Sequence, residues 1–549
     1  MKVSELLVRS LESYGVGRAY GLVGTSILEL MDALYKSKIR YVSTRHEQVA
    51  VSMADAEGRL TGRPGVAFVH GGPGFLNSLV SVTNAWKDCS PMLLVAGAVK
   101  RRMVGMDSWL EVPQSAMMAS VVKGAWKVGR GSDAGTTFSQ AYSLAASPPT
   151  GPVFIEVPED VWGQEAGATV VGPEVKAAKP ADENEVRRVA SALEAARKPL
   201  LVVGGGVNTP GGAKALRELL SRVEVPVVNS GNGRGAVPED DQLSLGRIGF
   251  GGGSGVADGA LMKADVVVCI GCGLSDVSTY GYNLTPRGEV YMVNLDPLWD
   301  RKPVPCSMHL ECEATDFVQK LNRVLGERRL DPDWKSQTDR DRKQWDAMLT
   351  ESESRSKAGF VNPARFLTAL GKGLPPDAII SAGQGVHVLY AYAFLKVRSC
   401  RSFLAATNMG SMGFVFPAAL GAKMTCPERE SVAVMGDGEF LMTMQDMETA
   451  VRERIGARIV VLNDNSYRVL LMRQKIQKMG RILGTTHSNP DLVKVAEAFG
   501  APGISVASDS EIDAAVRFLL QKSDLPVVVE LKVDPEDLPP LNIQGSLMF

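Results

Sequence analysis

The sequence has no long apolar run. No stretch of the 549 residues approaches the roughly 20 consecutive apolar residues that a membrane-spanning helix needs. The segment MKVSELLVRSLESYGV at the start places apolar residues at helical spacing, which predicts an amphipathic helix and not a signal peptide. We therefore expect a cytoplasmic protein with no part in a membrane.

An excess of charge of either sign is also missing. The 60 Lys and Arg residues are matched by 61 Asp and Glu residues, which leaves a formal net charge of -1. This balance gives no reason to expect nucleic acid or an anionic membrane as a partner. The 7 cysteines have no disulfide spacing. Cys269 and Cys272 form a C-x-x-C, but Cys269 lies inside the apolar run VVVCIG, so we expect reduced structural cysteines and no zinc site.

Short β-branched runs alternate with helical stretches along the chain, as in GVAFVH, PLLVVGGG and SVAVMGDG. Runs that are apolar on both faces and separated by helices predict parallel sheets in α/β layers. Polar or charge-rich segments around residues 163–185 and 325–346 divide the runs into three groups. We predict three doubly wound α/β domains, at residues 1–165, 186–328 and 358–535.

One of these runs, SVAVMGDGEF, stops at Gly436-Asp437-Gly438, and the next predicted strand ends just before Asp464. A strand–helix–strand unit thus carries both carboxylates to the edge of the sheet where open α/β sheets bind ligands. The two glycines let the backbone approach an anion closely. Two carboxylates with phosphate oxygens and water suit Mg²⁺. Gly-Asp-Gly is also a common turn, so the tripeptide alone does not identify a metal site.

These residues resemble the metal motif of the thiamine-diphosphate enzymes, a family that includes acetolactate synthase, benzoylformate decarboxylase, 2-hydroxyacyl-CoA lyase and oxalyl-CoA decarboxylase. The family motif is Gly-Asp-Gly followed, after a helix and a strand, by Asn or Asp. The resemblance implies thiamine diphosphate and Mg²⁺ as cofactors, with the metal bound by Asp437, Asp464 and the carbonyl oxygen of Ser466. Most relatives have Asn at the second position, so we expect the extra charge of Asp464 to favour tighter metal retention.

In the first domain, Arg45-His46-Glu47-Gln48 is similar to the family's Arg-His-Glu-Gln segment. The resemblance makes Glu47 the catalytic acid that hydrogen-bonds the aminopyrimidine ring and protonates its ring nitrogen, which lets the exocyclic nitrogen remove the thiazolium C2 proton. In isolation such a run is typical of a solvated helix start. Together with the metal loop it is a far more specific signal.

The same resemblance adds four residues to the predicted cofactor site. Gly410 and Met412 lie in Asn408–Phe414, a segment similar to the one in which a large apolar residue holds the cofactor in its bent shape. Gln384 resembles a residue of a diphosphate-binding pair. Glu439 directly follows the Gly-Asp-Gly loop and is assigned to the cofactor with it. A Met in a glycine-rich loop usually serves core packing, so Met412 depends on this context.

The predicted substrate pocket departs from the acetolactate synthase pattern. Acetolactate synthases have an Asp-x-Phe-Gln-Glu segment, and this chain has Trp109 and Leu110 at the two positions before the Glu. Where those enzymes have a carboxylate-binding Arg in the middle domain, this chain has Val277. At the Trp of their Met-Val-Arg-Gln-Trp segment, this chain has Lys475. A valine cannot replace a guanidinium in binding a carboxylate. These four positions therefore argue against acetohydroxyacid synthesis itself, although not against the general activity.

Other segments favour different branches of the family. PGFLN at 73–77 and the segment at 123–130 are similar to the acyl-CoA enzymes. His70 lies where benzoylformate decarboxylase carries a catalytic His, which makes it a second catalytic candidate, although an isolated His at a strand end is more often only hydrogen-bonded. The adjacent His pair of pyruvate decarboxylases is missing.

The middle domain and the quaternary structure are also inferred by resemblance. The segments 201–206, 229–253 and 294–297 resemble the region that holds FAD in acetolactate synthases and an adenosine moiety in oxalyl-CoA decarboxylase, which leaves bound FAD or an empty vestigial site as alternatives. Relatives bind the cofactor between the first domain of one subunit and the third domain of another. The resemblance thus implies a homodimer or homotetramer with its active site at the subunit interface.

The leading functional hypothesis is an acetolactate-synthase-like lyase or transferase that breaks or forms a C–C bond next to a carbonyl, as in decarboxylation or carboligation of a 2-oxoacid. The alternatives are a lyase of 2-hydroxyacyl-CoA or oxalyl-CoA type and a simple non-oxidative 2-oxoacid decarboxylase. An inactive binding homologue is a third class. The combined presence of Glu47, Asp437 and Asp464 argues against that class.

Overall fold

The computed structural model of the chain describes residues 1–167, 169–250, 253–296 and 299–540. Gly251, Gly252 and Pro297, which belong to the glycine-rich and Asn-Leu-Asp-Pro segments of the middle domain, lie outside the described residues. The chain forms two compact units. The first unit contains Met1–Ala177, Asn408–Glu428 and Met442–Gly456, and the second contains Ala178–Thr407, Arg429–Leu441 and the chain from Ala457 onwards.

The first unit is built on a six-stranded parallel sheet of order β2-β1-β3-β4-β6-β5. The strand order reverses between β1 and β3, and open α/β sheets bind ligands outside the carboxyl ends of the strands at such a reversal. Ser26 and His70 lie just beyond these two strand ends. The strands are β1 (Arg18–Leu22), β2 (Arg40–Ser43), β3 (Gly65–Val69), β4 (Met92–Ala98), β5 (Ala125–Lys127) and β6 (Pro152–Pro158). The helices are α1 (Val3–Ser13), α2 (Leu28–Tyr35), α3 (Glu47–Thr61), α4 (Pro73–Lys87), α5 (Gln114–Met118), α6 (Ala134–Ala146) and α7 (Glu159–Trp162), with α15 (Val415–Thr425) and α17 (Met447–Arg452) from later in the chain.

The second unit contains two further sheets, of which the earlier in the chain has the order β12-β11-β10-β7-β8-β9. Both of its faces are covered, since Leu201 and Val203 enter one hydrophobic core and Leu200 and Val202 enter another. Cys269 lies in a fully buried strand, as predicted. The strands are β7 (Pro199–Val203), β8 (Val227–Asn229), β9 (Ser244–Arg247), β10 (Val266–Ile270), β11 (Glu289–Val293) and β12 (Met308–Leu310). The helices are α8 (Glu183–Ala195), α9 (Pro210–Leu220), α10 (Gly255–Lys263), α11 (Ala314–Val324) and α12 (Pro332–Ser354).

The third sheet is also parallel, with the order β14-β13-β15-β16-β18-β17. Its order reverses between β13 and β15, whose carboxyl ends lead into Gln384 and Asp437. The predicted diphosphate and metal segments are therefore neighbours at the reversal point of this sheet. The strands are β13 (Ile379–Ala382), β14 (Phe403–Leu404), β15 (Ser431–Gly436), β16 (Arg458–Asn463), β17 (Gly503–Val506) and β18 (Val527–Lys532). The helices are α13 (Pro363–Gly373), α14 (Val386–Phe394), α16 (Asp437–Thr443), α18 (Arg468–Gln477), α19 (Leu492–Ala498) and α20 (Ile512–Leu519).

The predicted fold class is confirmed, because each of three domains has a six-stranded, all-parallel sheet. Every strand in the described residues lies within one of the three predicted domain ranges, while the exact boundaries stay predictions. The charge-rich division around 325–346 is largely the helix α12, which begins at an Asp331 cap and buries Trp334 completely. Within the part of the chain that the structure describes, no helix has the length and apolar character needed to cross a membrane.

Candidate active site

Glu47 is the first residue of α3 and lies in the first unit. His46 caps this helix, since its Nδ1 accepts the N–H of Gln48 at 3.1 Å. The Glu47 side chain is directed into the protein and only 6% of the residue is exposed. Asn77 on α4 donates its amide N–H to Oε2 at 3.0 Å, and a Cβ at Gly74 would come within 2.9 Å of Oε1. Glu47 is therefore a buried acid held between two helices, in contrast to a solvated helix start.

A buried hydroxyl accompanies this acid. The Tyr41 side chain is largely buried, and burial followed by the negative charge of Glu47 raises the pKa of its phenol. The Tyr41 hydroxyl has no hydrogen-bond partner among the described residues. A buried polar atom without a partner is uncommon in a folded protein, and its presence here fits a polar ligand beside Glu47.

His70 follows β3 and is held by Ser26, which follows the carboxyl end of the neighbouring strand β1. The Ser26 hydroxyl oxygen lies 2.7 Å from His70 Nδ1 and accepts the N–H of Gly71 at 2.9 Å. Gly24 carries no side chain because a Cβ there would lie 2.3 Å from the His70 ring. Burial lowers the pKa of the His70 imidazole, so the ring is neutral at physiological pH. His70 is thus a positioned imidazole, and its catalytic role stays a prediction.

The predicted cofactor-bending loop belongs to the same unit and is stiffened at both sides of Met412. Gly410 and Gly413 have φ values of +72° and +82°, a left-handed conformation that favours glycine. The Met412 carbonyl oxygen accepts the side-chain N–H of Gln48 at 3.4 Å. This bond connects the loop to the residue that follows Glu47. Met412 itself is half-buried, which leaves part of its side chain available for a ligand.

The two predicted pocket residues of the first unit differ in exposure. Trp109 is 77% exposed. Leu110 is half-buried with φ at +72°, and its carbonyl oxygen lies so near Gly72 that a Cβ there would come within 2.7 Å. Gln114 holds the same turn by accepting the N–H of Gly72 at 3.0 Å. Leu110 therefore packs against Gly72, which lies two residues after His70 in the chain, whereas Trp109 is solvent-exposed.

Asp437 is the predicted metal ligand of the second unit, and it lies where β15 passes into α16. The residue is 1% exposed. Its Oδ2 accepts a hydrogen bond from the Asn489 amide at 2.5 Å and lies 3.1 Å from Nε2 of His487. Burial raises the pKa of the Asp437 carboxyl, and the neighbouring charge of Asp464 raises it further. A carboxylate in this position is poorly compensated by the protein alone.

Asp464 follows β16, the strand next to β15, at the same edge of the sheet. The turn is local: Asn465 has φ at +57° and donates its N–H to the side chain of Asn463 at 3.2 Å. The Ser466 hydroxyl donates to Oδ1 of Asp464 at 2.6 Å, and Nε of Arg468 forms an ion pair with Oδ2. The extra charge of Asp464 is thus balanced inside the chain, which was not expected from the sequence.

The glycines of the metal loop make room for two rings. A Cβ at Gly436 would come within 2.9 Å of His387, and one at Gly438 within 2.6 Å of Tyr467. His387 also faces Glu439, with Nε2 3.4 Å from Oε2 of that buried carboxylate. Glycine is therefore required at both positions because the His387 and Tyr467 rings pack against the backbone of the loop.

Gln384 and Glu439 lie on neighbouring parts of the third sheet. Oε2 of Glu439 accepts the backbone N–H of Gln384 at 3.3 Å, and the Gln384 side chain donates to the Ala406 carbonyl oxygen at 3.1 Å. Gly385, directly after Gln384, has φ at +151° and begins the turn into α14. The two predicted diphosphate residues are thus brought together at the reversal point of the sheet.

The remaining pocket candidates, Val277 and Lys475, also belong to the second unit. Val277 is half-buried and its carbonyl oxygen accepts the N–H of Phe250 at 2.6 Å. Lys475 on α18 forms an ion pair with Glu536, and its side chain is 32% exposed. Lys475 therefore has a partner of its own in the segment after β18.

The glycine-rich turn of the middle domain is explained by packing. Cβ atoms at Gly204 and Gly206 would come within 2.2 Å and 2.9 Å of Gly271, which follows β10. The loops after β7 and β10 therefore touch at the reversal point of their sheet through glycines on both sides. Glycine is required at these positions whether or not a dinucleotide binds, so the glycine-rich segment by itself does not favour FAD.

The donor set around Asp437 fits a hard divalent cation. The carboxylates of Asp437 and Asp464 follow adjacent strands, and burial and the charge of Asp464 raise the pKa of the Asp437 carboxyl. Mg²⁺ prefers one or two carboxylates with phosphate oxygens and water. Within the described residues, no group of three or more His, Cys, Asp and Glu side chains is arranged to hold a metal ion. A metal ion at Asp437 and Asp464 would therefore need other ligands, and its binding stays a prediction.

Several residues of these clusters were missed by sequence reasoning: Asn77, Ser26, His487, Asn489 and Arg468. Arg468 had a signal, since it follows Asp464 by four positions at the start of a helix. The others approach their partners only through the tertiary structure; Asn489 and Asp437, for example, are 52 positions apart in the sequence.

Comparisons with known proteins identify the family of the chain. The thiamine pyrophosphate enzyme models match residues 1–120 (N-terminal TPP binding domain), 186–321 (central domain) and 383–531 (C-terminal TPP binding domain). The acetolactate synthase large subunit of Haemophilus influenzae is 30% identical, over 99% of this chain and 97% of that protein. The isozyme 3 large subunit of Escherichia coli (strain K12) is 30% identical with the same coverage, and the acetolactate synthase of Mycobacterium bovis is 31% identical over 96% of this chain and 88% of that protein. The chain therefore belongs to the thiamine pyrophosphate enzyme family and is an enzyme of the acetolactate-synthase-like type.

Proposed function

We propose that this enzyme uses thiamine diphosphate and Mg²⁺ to break or form a C–C bond next to a carbonyl, with a 2-oxoacid as its substrate. The observation that carries the proposal is the pair of carboxylates Asp437 and Asp464, which directly follow the adjacent strands β15 and β16 and whose side chains are buried. A buried acid at the start of α3 supports it independently. Family membership supports the cofactor, and the metal and the reaction are our inference.

Each group of residues would have a separate task. Asp437, Asp464 and the Ser466 carbonyl oxygen would hold the metal, and Gln384 and Glu439 lie where the diphosphate would be oriented. When bound, thiamine diphosphate supplies the nucleophilic carbon and the electron sink. Glu47 would hold and transfer a proton at the pyrimidine ring nitrogen.

The hydrogen bond from Asn77 orients the Glu47 carboxyl for this transfer. The half-buried Met412 would contact the cofactor, on a loop whose backbone accepts a hydrogen bond from the Gln48 side chain. His70, neutral and held by Ser26, would offer its other ring nitrogen to a substrate or product oxygen. These roles depend on side chains that the fold already holds in place.

The role of Glu47 is tested by the variant Glu47→Gln. Glutamine keeps the size and the acceptor oxygen but cannot supply a proton, so exchange of the cofactor C2 proton for deuterium, followed by NMR after acid quench, should fall by at least about a hundredfold. Cofactor binding, measured by calorimetry, should change little. Glu29→Gln is the matched control, since Glu29 is an exposed helix residue of the same unit whose partner is Lys2. Exchange at the native rate in Glu47→Gln would contradict the proposed role.

A second candidate function is a lyase of 2-hydroxyacyl-CoA or oxalyl-CoA type. It is favoured by Val277, since an apolar side chain at this position cannot bind a substrate carboxylate. Purified enzyme with thiamine diphosphate and Mg²⁺ should be assayed with pyruvate, benzoylformate, a 2-hydroxyacyl-CoA and oxalyl-CoA. Efficient acetolactate formation from pyruvate would favour the synthase reaction and would contradict the inference that Val277 disfavours it.

Two further inferences are tested on the same preparation. We infer a homodimer or homotetramer, in accordance with the family resemblance, and light scattering of the eluted protein would determine the mass. The glycines of the middle domain do not by themselves favour FAD, because they are required by close packing between two loops. A visible flavin spectrum in the purified protein would establish FAD, and tight CoA or ADP binding would favour the acyl-CoA branch.

A further inference from the structure

Asp464 carries a negative charge at the second position of the predicted metal motif, and this charge has an internal partner. Nε of Arg468 forms an ion pair with Oδ2 of Asp464, four positions earlier in the chain. The two side chains are 3% and 7% exposed, so water does little to screen their interaction. The other carboxylate oxygen accepts the Ser466 hydroxyl at 2.6 Å.

Arg468 is held by a second anchor as well. Its Nη1 donates to the carbonyl oxygen of Asp537 at 3.1 Å. The Asp537 carboxylate has its own partners, Arg355 at 3.0 Å and the Tyr390 hydroxyl at 2.7 Å. The guanidinium charge is therefore kept beside the metal loop even if Asp464 is changed.

We propose that Arg468 is a positioning residue that neutralises Asp464 and thereby sets the affinity of the divalent cation. The inference rests on the proposed metal site at Asp437 and Asp464. A fixed positive charge close to a cation site weakens cation binding, and an added carboxylate strengthens it. Because this chain has both charges, the pair has about the electrostatic effect of a neutral side chain at position 464. The tighter metal retention expected from Asp464 alone is thus cancelled.

The proposal predicts opposite signs for two single substitutions. Arg468→Gln leaves two carboxylates without the guanidinium and should bind Mn²⁺ at least about tenfold more tightly than the native chain. Asp464→Asn leaves Arg468 unpaired beside the cation and should bind Mn²⁺ at least about tenfold more weakly. The double variant restores neutrality and should bind within about threefold of the native chain.

The experiment titrates the full-length protein with Mn²⁺ in the presence of thiamine diphosphate and measures free Mn²⁺ by EPR. Thermal unfolding of each metal-free variant is recorded in parallel. Arg458→Gln is the matched control, since it removes another buried guanidinium at the opposite end of β16, where Arg458 pairs with Glu430 at 3.1 Å. This control should leave the Mn²⁺ dissociation constant unchanged.

Weaker or unchanged binding in Arg468→Gln would overturn the proposal, because a purely structural arginine would loosen the metal loop when removed. If Arg468→Gln does not fold, the comparison between Asp464→Asn and the double variant decides: equal affinities would overturn the proposal, and tighter binding by the double variant would support it. If the native chain itself binds no Mn²⁺ with thiamine diphosphate, then the proposed function fails and not merely the role of Arg468.

Discussion

The Ser26→Ala substitution tests how the first domain holds its candidate catalytic imidazole. The Ser26 hydroxyl oxygen accepts the Gly71 N–H at 2.9 Å and lies 2.7 Å from Nδ1 of His70. The backbone N–H of Ser26 also points at this nitrogen, at 3.4 Å. Because an N–H can only donate, Nδ1 is the acceptor, and the neutral ring carries its proton on Nε2. Ser26 therefore selects the tautomer of His70.

The size of the effect follows from these contacts. Ser26 is 4% exposed, and alanine removes two buried hydrogen bonds and leaves the Gly71 N–H without an acceptor. A buried hydrogen bond contributes about 1 kcal/mol, and an unpaired buried donor costs about 1–3 kcal/mol, so we expect a loss of about 2–4 kcal/mol. For a domain of this size the unfolding midpoint should fall by on the order of 5–10 °C.

Calorimetry measures the midpoint, and ¹⁵N NMR of the imidazoles measures the tautomer in a chain with only 5 histidines. Ser26→Cys separates packing from hydrogen bonding, since a thiol fills similar space but bonds weakly. Ser13→Ala is the control, because Ser13 is exposed and bonds only within α1. A native His70 protonated on Nδ1, or a Ser26→Ala midpoint equal to that of Ser13→Ala, would refute this account.

Two further predictions concern buried charges. Burial raises the pKa of Asp446 to about 6 from 3.8, so the folded protein loses stability as pH rises through this range, by about 3 kcal/mol. Asp446→Asn keeps the acceptor for the N–H of Arg45 and should raise the unfolding midpoint at pH 7.5 more than at pH 5; an equal change at both would contradict the pKa assignment. Arg234→Met leaves the buried carboxylate of Glu239 without its partner at 2.6 Å and should destabilise the protein by about 3–5 kcal/mol in chemical denaturation. The exposed pair of Arg398 should contribute less than about 1 kcal/mol, and similar losses from Arg398→Met and Arg234→Met would contradict the argument.

Much of the fold follows from local patterns in the sequence. Runs such as VVVCIG and SVAVMG are apolar at every position, which only a strand covered on both faces can accommodate, and both are buried strands of parallel sheets. The charge-rich segment that contains α12 was harder to interpret, because Trp334 is the one apolar residue of this helix that is buried. A single anchor in a polar helix leaves almost no periodic signal.

The candidate site was only partly predictable. Glu47 and Asp437 could be proposed from the sequence because each lies in a short segment that resembles a family motif. Their burial and their supporting contacts were not, since Asn77 and Asn489 have no distinguishing feature in the sequence. The expectation that Asp464 tightens metal binding stays a prediction, and it considered this charge without its ion-pair partner Arg468.

The sequence alone determined the α/β class, the cofactor family and the two ends of the predicted cofactor site, because strand periodicity and short motifs are local properties. Only the tertiary structure decided which loops lie together. The order of each sheet reverses at one place, and the topology, not the sequence spacing, brings Ser26 to His70 and Gln384 to Glu439. The electrostatics of Asp437 were likewise decided there, since its burial and the nearby charge of Asp464 depend on residues distant in the chain.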